Sequence, residues 1–159
     1  CVRAHPRCGE YPLISGCMAH ASGQQQMLPV KTRRLKRKSQ IWTMLVVQRA
    51  DDGAVWLERR GPEGVWASLH AFPCGADVVE LLGSVGLPPT CAHRRGQPFV
   101  HVLTHLDMVI QPIHVDVGPD WQPRSLGMNQ PDGVWATPNK ELLVGVPVPV
   151  RKMLAELSA

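Results

Sequence analysis

Apolar runs along the middle of the chain, separated by polar turn sequences, predict β-structure. Residues 41–48, IWTMLVVQ, form an apolar, β-branched run that ends at the turn sequence DDG, and a second run, AVWLERR, follows at 54–60. Two such runs around an Asp-Gly turn are typical of a β-hairpin. The segment PFVHVLTHLDMVIQPIHVDVG, at 98–118, is extended in the same way on both sides of a turn near 104–107. We therefore expect two strand pairs.

Two segments have apolar residues at helical spacing. ADVVELLGSVG has apolar positions from Val78 to Leu82 and ends at a glycine, which predicts a short helix. Near the end of the chain, Pro149 is a favourable first-turn residue. Apolar residues follow it at helical spacing: Val150, Met153, Leu154 and Leu157. Strands in hairpins, with one helix after the first strand pair and another at the end, predict an α+β domain over 41–159.

The segment GPEGVWASLHAFPCG, between the first hairpin and the first helix, combines Gly and Pro with large apolar residues. Such punctuation is typical of a structured loop. Aromatic rings bury large areas and anchor small domains. We expect packing roles for Trp66, Phe72, Pro73 and Trp135.

The first forty residues differ from the rest in composition. Three of the five cysteines lie in residues 1–17, and residues 18–40 are small and polar before they end in the basic run KTRRLKRK. Residues 18–40 have no helical or strand period, which is typical of a linker. The sequence therefore divides into a cysteine-rich segment, 1–17, a basic linker, 18–40, and the α+β domain, 41–159.

Positive charge is concentrated in the run from Lys31 to Lys38. It holds six of the 17 basic residues and no acid, which leaves eleven basic against 13 acidic residues elsewhere, so the formal charge is about −2 outside the run and +4 overall. Such a run can bind phosphates without reading sequence. A solvated linker is the alternative interpretation of the same composition.

Composition also limits the compartment. No apolar stretch approaches the roughly 20 residues that a membrane-spanning helix needs. An odd number of cysteines, five, and a polar start without a secretion signal favour a reducing compartment, the cytoplasm. Because the first residue is Cys rather than Met, we expect that a start has been removed or that sequence is missing upstream.

Four segments in order resemble the C-terminal part of MutY-type adenine DNA glycosylases, base-excision enzymes that remove adenine mispaired with 8-oxoguanine. They are the cysteine-rich start, LERRGPEGVWASLHAFP, HVLTHLDM and GVWATPNKELLVGVPVPVRKMLAEL. The resemblance covers essentially the whole chain and implies a Nudix-like domain, with a mixed sheet and flanking helices, over 41–159. It also implies a catalytic N-terminal domain upstream as a partner, without which this chain would not excise adenine.

In that family, a C-x6-C-x2-C-x5-C loop holds a [4Fe-4S] cluster. Cys1, Cys8 and Cys17 match three of its ligands, and Tyr11 stands at the remaining position. Each iron of such a cluster takes one thiolate, and a phenolate is a harder donor. The resemblance thus implies a [4Fe-4S] site with one altered ligand. A three-iron cluster, zinc with His5 as fourth ligand, and an empty loop of free thiols are the alternatives.

The resemblance gives HVLTH, at 101–105, a role in reading the lesion. The family's corresponding hairpin loop, often Phe-Ser-His, wedges beside 8-oxoguanine and hydrogen-bonds it; this chain has Leu103, Thr104 and His105 there. Guanine N7 is an acceptor, whereas oxidation makes N7 a donor and adds a carbonyl at C8. A hydroxyl can accept from the first and donate to the second, so Thr104 is the expected reader. From the residues alone, His101 and His105 could instead face water from one side of a strand.

The family's connector lies beside DNA, so the resemblance implies that the basic run positions the DNA backbone. The six residues concerned are Lys31, Arg33, Arg34, Lys36, Arg37 and Lys38. The expected partner is double-stranded DNA that contains 8-oxoguanine opposite adenine. We expect no membrane association, and a place in the cytoplasm at the nucleoid.

A Nudix hydrolase is the competing function, because the implied fold is shared. That chemistry needs a G-x5-E-x7-R-E-U-x-E-E-x-G-U segment, whose carboxylates hold divalent metal ions on a diphosphate substrate. After AFPCG the chain offers only Asp77 and Glu80 before Leu87. We therefore expect lesion recognition in DNA rather than nucleotide hydrolysis.

Overall fold

The computed structural model describes residues 5–28, 30, 37–124, 133–138 and 140–158. The chain forms two compact units, Cys1–Lys36 and Arg37–Ala159. In its described part, the first unit contains two 3-10 turns and a short helix, α1: Cys8–Glu10, Ile14–Gly16 and Met18–Ala21. The linker predicted over 18–40 therefore begins with a helical turn.

The described part of the second unit contains eight strands and two helices. The strands are β1 (Lys38–Arg49), β2 (Val55–Arg59), β3 (His70–Ala71), β4 (Cys74–Gly75), β5 (Arg94–Arg95), β6 (Phe99–Val102), β7 (Leu106–Val117) and β8 (Gly133–Ala136). The helices are α2 (Val78–Val85) and α3 (Val148–Glu156). Both predicted hairpins, β1 with β2 and β6 with β7, and both predicted helices are confirmed. None of the helices in the described ranges is long and apolar enough to span a membrane.

Strands β1 and β7 form the centre of a mixed sheet. They pair in parallel along their whole length, from Lys38 opposite Leu106 to Arg49 opposite Val117. The main strand order is β3-β2-β1-β7-β5, and β4, β6 and β8 add to β1, β7 and β2. Within the described ranges, every strand pair other than β1 with β7 is antiparallel. The predicted domain start at 41 is three residues late, because the polar residues 38–40 already pair with β7.

Alternate residues of the central strand face opposite sides of the sheet, as the pleat requires. Met44 and Val46 pack on the side that α3 covers, with Val150. Leu45 packs on the side that α2 covers, with Leu82. The sheet therefore lies between two helices, which is the predicted α+β arrangement of a mixed sheet with flanking helices.

The four residues predicted to pack are confirmed in that role. Phe72 is fully buried in the core on the α3 side, and Pro73 is buried beside it. Trp66 is partly buried against the same core, and Trp135 packs against the core on the α2 side.

Candidate nucleic-acid interface

The sheet presents a hairpin tip, residues 103–105, between β6 and β7. The N–H of Leu103 donates to the carbonyl of Leu106 at 2.8 Å and closes the turn. Thr104 and His105 are exposed at this tip. Leu103 is half-buried, with its side chain packed against the core on the α3 side. The structure thus brings the three predicted recognition residues together, with two facing solvent and one anchored.

Two consecutive residues of the basic run hold this tip from the neighbouring strand. Nη2 of Arg37 donates to the carbonyl of Leu103 at 2.9 Å and forms an ion pair with the carboxylate of Asp107. The N–H of Lys38 donates to the carbonyl of His105 at 3.1 Å. The carbonyls on both sides of Thr104 are therefore bonded to the start of β1, and Arg37 has protein partners that the sequence did not predict.

Among the other positive charges of the basic run, only that of Lys38 lies on a described residue. The Lys38 side chain is exposed and, among the described residues, has no ion pair or side-chain hydrogen bond. Lys31, Arg33, Arg34 and Lys36 lie outside the described residues, so their expected contacts with DNA stay predictions.

An aromatic cluster supports the base of the hairpin. The His101 ring lies 6.0 Å from Trp66, and Trp66 lies 5.8 Å from Trp42 at an interplanar angle of 70°. Partial burial, and to a smaller extent the charge of Lys152, lower the pKa of His101 below its usual value. His101 therefore packs against the loop as well as contacting water, and the tip has an aromatic support that the sequence analysis did not identify.

The backbone of this supporting loop is unusual. Trp66 and Ser68 both have φ +60°, in the left-handed region that ordinary side chains avoid. The loop is fixed by hydrogen bonds from Ser68 N–H to the Gly61 carbonyl at 2.9 Å and from Leu69 N–H to the Trp66 carbonyl at 3.1 Å. The segment GPEG, which begins and ends with glycine, predicts a turn here, but the sequence does not reveal that the left-handed backbone conformation falls on a tryptophan.

In the first unit, the cysteine-rich segment forms a cavity of about 150 Å³. Its lining includes Cys8, Tyr11, Cys17 and His20, while Cys1 lies outside the described residues. A [4Fe-4S] cluster takes four thiolates, and a cavity with a phenol at one ligand position does not fit that set. Among the described residues, no three His, Cys, Asp or Glu side chains are grouped to hold a metal ion. His5, Cys8 and Cys17, three of the four ligands of the zinc alternative, therefore do not form such a group.

One of the two acids that follow AFPCG, Asp77, caps a helix. The carboxylate of Asp77 accepts hydrogen bonds from the N–H groups of Val79 and Glu80, at 2.8 and 3.0 Å, at the start of α2. Glu80 is the other acid of this helix. This helix belongs to the described residues, and none of these form a group of side chains that could hold a metal ion. The hydrolase alternative therefore has no grouped metal site there.

A family model and a curated relative match this chain. The NUDIX domain model covers residues 43–156. An adenine DNA glycosylase of Buchnera aphidicola subsp. Baizongia pistaciae (strain Bp) is 23% identical over 161 residues, covering 99% of this chain and 44% of that protein. The chain therefore spans less than half the length of this relative.

Solved structures share the fold. The C-terminal domain of mouse MUTYH, in complex with human PCNA, has a TM-score of 0.54 at 19% identity, covering 74% of this chain and 86% of that one. The MutT protein from Methanosarcina mazei Go1 has a TM-score of 0.58 at 14% identity, covering 79% and 96% of the two chains. At these identities the likeness concerns the fold alone.

Proposed function

Because the chain belongs to the NUDIX domain family and presents an exposed hairpin tip held by Arg37 and Lys38, we propose that it is the C-terminal lesion-recognition region of an adenine DNA glycosylase. In this proposal it binds DNA and recognises 8-oxoguanine opposite adenine in base excision repair. The likeness to an adenine DNA glycosylase over 99% of the chain supports a role in DNA repair. Excision of adenine is assigned to the part of such a glycosylase that lies outside this chain.

The observation that carries the proposal is the geometry of the hairpin tip. Thr104 is exposed, while the carbonyls before and after it are held by Arg37 and by Lys38 N–H. A hydroxyl on a fixed backbone can accept from N7–H of the oxidised purine and donate to its C8 carbonyl. Unmodified guanine offers neither of these groups, because its N7 is an acceptor and its C8 carries no oxygen, so the hydroxyl can only donate one hydrogen bond to N7.

The neighbours of Thr104 have supporting roles. The exposed imidazole of His105 can donate to the same lesion edge or to a phosphate. Leu103 offers the exposed part of its side chain as an apolar wedge beside the lesion, and its packed part anchors the turn on the core. The exposed Lys38 ammonium, together with Lys31, Arg33, Arg34 and Lys36, would neutralise phosphates without reading sequence.

The hydroxyl is tested by replacing Thr104 in the 159-residue chain and measuring affinity for duplexes with 8-oxoguanine:adenine or guanine:adenine. Thr104→Val keeps the shape and removes the hydroxyl. Because one net hydrogen bond contributes about 1 kcal/mol, the preference for 8-oxoguanine should fall about fivefold. Thr104→Ser is the matched control and should keep the preference. An unchanged preference in Thr104→Val would overturn the role of the hydroxyl.

The [4Fe-4S] cluster that the family resemblance implies stays a prediction. In this chain, Tyr11 replaces one thiolate, so no step of recognition is assigned to a cluster. The competing hydrolase function has the fold in its favour and lacks a grouped metal site in the described residues.

A further inference from the structure

We propose that Arg37 is a positioning residue that fixes the recognition hairpin and does not bind a DNA phosphate. The inference rests on the proposed function, because it concerns how the tip keeps Thr104 in place for the lesion. It separates Arg37 from the rest of the basic run, with which its charge alone would group it.

The contacts of Arg37 with the hairpin both come from one guanidinium nitrogen, Nη2. Its Nη2 carries two N–H groups; one donates to the Leu103 carbonyl at 2.9 Å, and the other faces the Asp107 carboxylate. Leu103 and Asp107 lie on opposite sides of the turn. A single guanidinium therefore ties the end of β6 to the start of β7 across Thr104.

The pairing also neutralises the charges involved. The Arg37 and Asp107 side chains are 43% and 36% exposed, and the carboxylate is the counter-ion that a phosphate would otherwise have to replace. Because Asp107 follows the tip by two residues, its carboxylate would lie without this ion pair beside the tip if Arg37 were removed. Arg37 therefore has two effects, since it holds the backbone of the tip and screens an acid beside it.

Lysine could not perform this role at position 37. The planar guanidinium presents two donors from one nitrogen in a fixed geometry, whereas an ammonium is a compact point charge on a flexible stem. The adjacent Lys38 provides the contrast, because only its backbone N–H contacts the tip. Its exposed side chain makes no polar contact among the described residues and remains available to a phosphate.

Arg37→Gln and Lys38→Gln are the matched pair of variants, since each removes one positive charge from neighbouring positions. Binding of both to duplexes with 8-oxoguanine:adenine or guanine:adenine is measured across a salt series. Each phosphate contact contributes about 0.9 to the slope of log K against log salt. Lys38→Gln should lower the slope by about that amount and keep the lesion preference.

Arg37→Gln should keep the salt slope and lower the lesion preference about fivefold, the upper end for one exposed ion pair. Arg37→Lys should fail to restore the preference. Asp107→Asn should lower the preference as well, and the double variant Arg37→Gln/Asp107→Asn should be no worse than Arg37→Gln, since both changes break one contact. A salt slope that falls in Arg37→Gln with the preference retained would overturn the proposal.

Hydrogen exchange separates failure of this inference from failure of the proposed function. Arg37→Gln should speed exchange of the Leu103 amide, whose hydrogen bond closes the turn, about fivefold relative to Lys38→Gln. If the unmodified chain shows no lesion preference, the proposed function fails, and this exchange measurement still tests the brace. Equal exchange in the two variants would refute the positioning role.

Discussion

Asp77 could either cap a helix, which is a structural role, or bind a metal ion, as an acid of a Nudix hydrolase would. It accepts hydrogen bonds from Val79 N–H at 2.8 Å and Glu80 N–H at 3.0 Å, at the first turn of α2. Both hydrogen bonds go to one carboxylate oxygen, Oδ1, which thereby satisfies two free N–H groups of the first helical turn. We therefore predict that Asp77 stabilises the folded domain and contributes nothing to metal binding.

The size of this stabilisation follows from the two hydrogen bonds that Asp77 accepts. Replacing an N-cap Asp by Ala costs about 0.5–2 kcal/mol in free energy of unfolding, with a typical cost of about 1 kcal/mol. Asn is an equally good cap, so Asp77→Asn should lose only the interaction of the negative charge with the helix dipole, about 0.3–1 kcal/mol. With a urea slope of about 2 kcal/mol/M, Asp77→Ala should unfold at a urea concentration lower by about 0.5 M.

The assay is urea unfolding of the unmodified chain, Asp77→Ala and Asp77→Asn, with and without excess Mg²⁺. A bound metal ion would raise the midpoint of the unmodified chain by mass action, and Asp77→Asn would remove that increase. We expect no effect of Mg²⁺ on any of the three proteins. Stabilisation of the unmodified chain by Mg²⁺, together with no loss of stability in Asp77→Ala, would refute the reasoning.

Two further predictions concern packing and the cysteines. A Cβ at Gly133 would lie 2.0 Å from Cζ2 of Trp56, so Gly133→Ala should lower the free energy of unfolding by about 1–3 kcal/mol through overpacking. Gly118→Ala, whose added Cβ has nothing within 4 Å, is the control in the same unfolding measurement. Burial raises the pKa of the Cys74 thiol to about 12, so it should remain protonated and unlabelled by iodoacetamide in the native protein at about pH 8, and react only after unfolding. Mass spectrometry of the labelled peptides checks this, and native-state labelling of Cys74 would contradict it.

The local elements of the fold could be predicted because their signals are local. The DDG turn marks the first hairpin, which pairs Gln48 with Val55. The glycine that ends the first predicted helix is Gly86, which has φ +86° beyond α2, a conformation that favours glycine. The helical spacing of apolar residues behind Pro149 predicts α3, because residues three and four positions apart share the buried face of the helix.

The long-range pairing could not be predicted in this way. The parallel alignment of β1 with β7 joins residues almost seventy positions apart, and the polar residues 38–40 give no apolar pattern that would extend β1. A run of like charges also has no signal that distinguishes its members. The different contacts of Arg37 and Lys38 are therefore visible only in the structure, where Asp107 lies beside the Arg37 guanidinium.

The most direct test of the central claim compares the affinity of the unmodified chain for three duplexes, with guanine, 8-oxoguanine or 8-bromoguanine opposite adenine. Bromine adds bulk at C8 and leaves N7 as an acceptor, whereas oxidation changes N7 into a donor. If the Thr104 hydroxyl reads this exchange, 8-oxoguanine binds most tightly and 8-bromoguanine behaves like guanine. Equal affinity for the brominated and the oxidised base would show that shape is recognised, and would contradict the account.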